Sequence, residues 1–236
     1  MKRFQTLFLL VFIAAISIHT TSARVSDKTE FRKVKSFKSI KVSSGIDLFI
    51  TMGESEEVKV VAGDDIIDKI ITEVSDGTLH IYVKTRSWFN CTVSGHRRVY
   101  VTVKELHGIS ASSGADVRSE NTLKGDDLVV SASSGSDVDI DLYYKNFTID
   151  ISSGADAKLT GKVKRLYAEA SSGSDIKAGD LEAQICTVHT SSGSDIVVSV
   201  SDELYAHASS GGDILYYGDP GIREIEKSSG GDVIRK

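Results

Sequence analysis

Residues 130–138 read V-S-A-S-S-G-S-D-V, and the S-S-G-S-D at 133–137 decides the fold once the chain is searched for its copies. The pattern S-S-G-x-D begins at Ser43, Ser112, Ser133, Ser152, Ser171, Ser191, Ser209 and Ser228. From Ser112 onward the copies step by 21, 19, 19, 20, 18 and 19 residues. A fixed period near twenty is the signature of a solenoid, each repeat one coil stacked on the last.

Side-chain parity separates strand from helix. With the first Ser of each copy as position zero, position −3 holds Ile40, Ile109, Val130, Ile149, Ala168, Val188, Ala206 and Ile225. Position −1 holds Val42, Ala111, Ala132, Ile151, Ala170, Thr190, Ala208 and Lys227. Position +5 holds Leu48, Val117, Val138, Ala157, Ile176, Ile196, Ile214 and Val233. Apolar residues at odd positions are a period of two, hence strand. The fold class expected is all-β, a right-handed parallel β-helix with coils of about 19 residues and a less regular N-terminal part. The right-handed hand comes from the family resemblance given below. Each coil is predicted to hold two or three short strands, and coils about 4.8 Å apart would make a rod on the order of 30 Å long.

The same parity turns the second Ser and the x residue inward, so Ser134 and Ser136 are small because they face the core. Gly135 permits the corner. The first Ser and the Asp then face outward and recur on every coil.

Residues 24–108 are less regular. The motif at Ser43 belongs to a first coil, a short helix is predicted over 65–71, and the strands of "GTLHIYV" and "RVYVTV" flank a loop at 85–96. The 69 residues from Ser43 to Ser112 suffice for about three and a half coils. This part reads as an elaborated cap continuous with the regular coils of 109–236, since an open solenoid end must be covered; a separate small β domain is the alternative.

Residues 1–23 combine Lys2 and Arg3 with an apolar run over 7–18 and small residues ending at Ala23, the pattern of a secretory signal peptide. The run is short for a membrane span. Without Lys2 and Arg3, 26 basic residues face 33 acidic ones, a net charge of −7. That balance argues against nucleic acid or an anionic membrane surface as partner, and no membrane span is expected after cleavage. The destination is the periplasm, the outer surface or the medium. Cys91 and Cys186 carry no metal-type spacing and read as small buried residues, their pairing open. The triplets at Asn90 and Asn146 match glycosylation acceptors loosely.

"FKSIKVSSGIDLFITMGESEEVKVVAGDDIIDKIITEVSDGTLHIYV", then "VYVTVKELHGISASSGADV", the S-S-G-x-D run and a closing "YYGDPG…SSGGDV" occur in order from about Phe37 to Val233. In these blocks the chain resembles the putative auto-transporter adhesin head domain, or head GIN domain, family. The resemblance implies an exported, right-handed β-helical protein of Bacteroidetes-type bacteria. It supplies no catalytic residues.

Two outward columns could carry chemistry. Asp47, Asp116, Asp137, Asp156, Asp175, Asp195, Asp213 and Asp232 form the first. Either Ser hydroxyls and turn amides satisfy these carboxylates, or a file of Ca²⁺ ions does, and one Asp per coil supplies few ligands for calcium. Position −2 gives the second, Asp150, Glu169, His189, His207 and Glu226, of which Glu169, His189, His207 and Glu226 could hold Zn²⁺ or form a solvated polar face. On the loop, Trp88 and Phe89 could stack on a sugar or fold over the coil end as a plug; the plug is favoured. Carboxylates recurring on every coil resemble a scaffold more than a site for acid/base catalysis, so a non-catalytic role in envelope binding or structure is expected, with a glycan or envelope protein as partner. The alternatives are a carbohydrate-acting β-helix enzyme and a calcium-binding solenoid. The chain ends on "SSGGDVIRK", so either 218–226 packs across the last coil or coils associate end to end.

Overall fold

The computed structural model of the chain describes residues 27–84 and 95–236. Among them are seventeen strands in one continuous hydrogen-bonded sheet that winds into a solenoid. The irregular part holds β1 (Asp27–Arg32), β2 (Ser39–Val42), β3 (Asp47–Met52), β4 (Glu57–Gly63), β5 (Ile70–Ser75), β6 (Thr78–Val83) and β7 (Arg97–Val103). The helix expected over 65–71 is only a single 3₁₀ turn, Ile67–Lys69, because the buried Ile66, Ile67 and Ile70 fit a tight bend into β5. Then follow β8 (Gly108–Ala111), β9 (Asp116–Ser119), β10 (Leu123–Ser133), β11 (Asp137–Ser152), β12 (Asp156–Ser171), β13 (Asp175–Thr190), β14 (Asp195–Ala208), β15 (Asp213–Tyr217), β16 (Ile222–Lys227) and β17 (Asp232–Arg235).

Pairing between coils is parallel and in motif register. Val130 faces Ile149, Ile149 faces Ala168, and Ala168 faces Val188. The inward columns at −3 and −1 are buried as far as Ala206 and Ala208 and that at +5 as far as Val233, and Phe147, Leu166, Cys186 and Leu204 add another at −5. Cys186 is a free, buried thiol whose pKa burial pushes up to about 12. Instead of two or three short strands per coil, β11, β12 and β13 each run 16 residues from one motif to the next. Their second bend lies inside the strand, with no Pro and no shared Gly to mark it. At one such bend Gly161 adopts φ +112°, and a Cβ there would lie 2.1 Å from the Leu142 carbonyl oxygen, so no side chain fits.

The 69 residues between the first two motifs do not build three and a half coils between them. β2 pairs directly with β8, Val42 against Ala111, and β3 with β9. The intervening chain runs to the other side, where β6 stacks on β2 and β7 on β3. The order along the axis is therefore β6–β7, then β2–β3, then β8–β9. Beyond the outermost rung β4 adds antiparallel to β7, β1 to β4 and β5 to β6.

At the other end, residues 222–227 do not pack across the last coil; they are part of it. β16 lies parallel to β14, Ile225 against Ala206, and β17 lies on β15.

Candidate functional site

The corner itself needs a correction. Ser134 faces solvent, not the core, because it and Gly135 take consecutive left-handed conformations, φ 57° and 67°. The same holds for the second Ser and the Gly of all eight copies. Two such residues in a row shift the parity, so that −1 and +3 point inward with nothing between them doing so. The reversed peptide keeps the ladder intact. Gly135 N–H donates to the Ser153 carbonyl at 3.2 Å, Gly114 to Ser134 at 3.1 Å and Gly154 to Ser172 at 3.2 Å. The x residue is inward as expected: Ser136, Ser174 and Ser194 are fully buried. Ser136 Oγ accepts from Ser133 N–H at 3.0 Å and lies 3.2 Å from the Ala111 carbonyl and 2.9 Å from that of Ser133, either of which it can donate to. Ser174 does the same between Ser171 and Ile151. A hydroxyl relays a ladder bond across the corner and satisfies itself in doing so.

The aspartates form one in-register column, Asp47 beside Asp116, then Asp137, Asp156, Asp175, Asp195, Asp213 and Asp232. The motif serines do not serve them. Among the described residues Asp175 accepts from the Asp195 amide at 3.4 Å and Asp213 from the Asp232 amide at 3.2 Å, while Lys227 reaches Asp232 at 3.0 Å. Relief comes also from the neighbouring column, where Arg118, Lys158 and Lys177 line a hollow of about 240 Å³ with Asp116, Asp137 and Asp156. Partial burial, then Asp137 and Asp47, holds the Asp116 carboxyl above the usual range, with Arg118 opposing.

The −2 column is in register too: Asp150, Glu169, His189, His207 and Glu226. Beside it at −4 run Tyr167, Thr187 and Tyr205, which the sequence reading did not single out. The Tyr167 and His189 rings lie 5.6 Å apart and those of His189 and His207 6.0 Å. Tyr167 Oη donates to Glu169 Oε2 at 3.0 Å, and His207 Nδ1 lies 3.2 Å from Glu226 Oε2. Burial, then the bond to Glu169, raises the Tyr167 pKa; burial, then Glu169, raises that of Asp150. Tyr167, Glu169, His189, Ser191, His207 and Ser209 border a hollow of about 270 Å³. Rings edged by carboxylates and hydroxyls can hold a polar ligand by stacking and hydrogen bonds. A signal existed in the sequence: Tyr167 and Tyr205 share one position, two coils apart.

Among the described residues no three His, Cys, Asp or Glu side chains gather as a metal ion requires. Trp88, Phe89 and Cys91 lie outside the described residues. Asn146 sits in β11 with its Nδ2 donating to Asp127 Oδ1 at 2.7 Å.

The sequence matches the family described as "Putative auto-transporter adhesin, head GIN domain" over residues 36–220. Among solved structures, a putative adhesin from Bacteroides fragilis is similar, with a TM-score of 0.83 at 24% identity over 89% of this chain and 97% of its own. A putative lipid binding protein from Parabacteroides distasonis has a TM-score of 0.70 at 19% identity, covering 88% and 96%. A putative adhesin from Parabacteroides merdae has 0.67 at 18%, covering 89% and 96%. At these identities the likeness shows the fold. No curated protein matches the chain in sequence.

Proposed function

Given that the chain belongs to the putative auto-transporter adhesin, head GIN domain family, we propose that it is a non-catalytic exported rod that holds a glycan or envelope protein on one outward face. The face is the one carrying Tyr167, Glu169, His189, Tyr205, His207 and Glu226. One observation carries this reading: three rings follow one another on adjacent rungs at 5.6 and 6.0 Å, with carboxylates bound at their edges. Along the Asp column, by contrast, the outward positions repeat one small and one acidic residue on every coil, as a scaffold does. Among the described residues no helix is long and apolar enough to cross a membrane.

The test is binding of the purified chain to glycan arrays and to intact envelopes, wild type against Tyr167→Ala/Tyr205→Ala and His189→Ala/His207→Ala. Binding should fall at least tenfold in both. Undiminished binding by both variants removes this face from consideration. The metal reading of Glu169, His189, His207 and Glu226 is tested in the same samples by zinc titration, where the expected result is no uptake that the histidine variant abolishes.

A further inference from the structure

Two adjacent coils depart from the 19-residue repeat, one longer and one shorter, and the departure falls between them. The step from Ser171 to Ser191 is 20 residues and the next is 18. The ladder between β13 and β14 is in register to Ala178 and Val198 and resumes only at Glu182 and Ser199, leaving Gly179, Asp180 and Leu181 without register partners on β14. It shifts again between Ala183 and Ile185, leaving Gln184 on β13 and Ser201 and Asp202 on β14 outside the register. On the other side β13 also slips against β12, between Lys158 and Thr160. A broken ladder re-aims side chains and frees backbone groups, which is why bulges recur next to binding sites.

Two hollows flank the break. One of about 430 Å³ is lined by Lys158, Lys177, Gly179, Asp180, Val197 and Tyr217. The other, of about 510 Å³, includes Gln184, Ser199, Ser201 and the pair Lys162 and Glu182. Tyr217 is 39% exposed and lies against Gly179, where a Cβ would stand 3.5 Å from its ring. Lys162 is held by Glu182 at 3.1 Å, but among the described residues neither Lys158 nor Lys177 has an ion pair. An exposed aromatic, two ammonium groups without an ion pair on adjacent rungs, and a run of amide and hydroxyl groups thus surround this break, with Asp180 at its edge.

We propose that this trough binds a carboxylated oligosaccharide. One sugar ring rests on Tyr217, its carboxylate lies between Lys158 and Lys177, and the next sugar hydrogen-bonds with Gln184, Ser199 and Ser201. The Asp column two residues along each strand repels a dense polyanion. The fit is therefore to a chain that brings a single carboxylate to the lysine pair, with its other sugars held by hydrogen bonds, and not to nucleic acid or an anionic bilayer. The site shares no residue with the Tyr167 face and stands without it.

Isothermal titration with a uronic-acid oligosaccharide of four to six sugars, and with its carboxyl-reduced counterpart, tests the proposal on the chain purified after export. The uronic form should bind, and the reduced form at least tenfold more weakly. Lys158→Ala/Lys177→Ala should abolish that difference. Tyr217→Ala should weaken both forms. Gly179→Leu, at a position with no left-handed backbone, should fill the hollow and block binding while the melting temperature stays near wild type. Failure of the uronic form to bind, equal affinity for the reduced form, or full binding by a folded Gly179→Leu chain overturns it, as does binding of anionic vesicles in place of the sugar.

Discussion

The two ends of the solenoid solve the same problem by opposite means. At the N-terminal end the inward columns continue apolar to the last strand: Val58, Val60, Ile66, Ile67 and Ile70 are all at most 1% exposed. Antiparallel strands and a 3₁₀ turn close over them, tied by Arg32 Nη2 donating to the Ile67 carbonyl at 3.0 Å. At the C-terminal end, among the described residues, β16 and β17 form the last rung with no further strand paired beyond them. The inward positions of the last rung are Arg223, Ile225, Lys227, Val233 and Arg235, and Ile225 is 39% exposed. Asp219 lies 2.9 Å from Arg235 and 4.0 Å from Arg223, and Asp232 lies 3.0 Å from Lys227. Charges at inward positions of an edge rung disfavour the docking of another apolar coil. Among the described residues, one end is covered by packing and the other is edged with paired charges.

The sharpest way to break this contrast is a matched pair of substitutions. Ile70→Asp buries an unpaired carboxylate in the closed end and should cost more than ~4 kcal/mol, seen as loss of the folded baseline in urea. Ile225→Asp, at the same kind of inward position, should cost less than ~1 kcal/mol because its site is already wet. Equal effects would mean that the ends are not different. Next in size, Arg223→Leu/Lys227→Leu/Arg235→Leu should leave the monomer folded but make it associate, with a sedimentation coefficient that rises with concentration. A triple variant that stays monomeric removes the role given to those charges.

Between the ends the corners set a smaller scale. Ser136→Ala strips the relay that serves the Ser133 amide and should cost about 1–2 kcal/mol by denaturant titration, whereas Ala115 and Ala155 occupy the equivalent position without it. The smallest effect concerns Asp116, whose folded pKa is raised. A carboxyl raised on folding opposes stability while ionised, and that penalty is relieved as pH falls from neutrality through the upper carboxylate range. Asp116→Asn should therefore add a little stability at pH 7, less than ~1 kcal/mol after solvent screening, and nothing once the carboxyl is protonated. Calcium and EDTA are expected to leave the melting temperature of either protein unchanged; a calcium-dependent rise would restore the ion file.

Much of this was legible in the letters. The odd-position apolar columns fix strand, coil and stacking, because a period of two and a period near nineteen leave few arrangements. What escaped has definite causes. Ser134 misled because only the Gly was credited with a left-handed conformation, when Ser-Gly takes it as a pair. The 16-residue strands hide their second bend, since the ladder runs on through it and no residue type marks it on every coil. Lys227 at −1 was visible as an exception, but its meaning needed the pairing of β16 with β14. The sequence singles out the Glu169, His189, His207 and Glu226 column of this face but not its tyrosines, because Thr148 and Thr187 alternate with them at −4 and dilute the pattern.

The placement of β2 and β3 has a consequence for how the molecule is made. From β8 onward each rung meets its neighbour about one coil away in sequence, so it can be added as soon as it is available. The rung of β2 and β3 is held between strands that come later in the chain, with Val42 paired to Ala111 across 69 residues. Loop closure of that length must precede any reward, which slows the step relative to the rest. A chain emerging from its N-terminus thus presents its hardest closure first, and the stack is expected to grow from the middle outward, the amino-terminal rungs locking last.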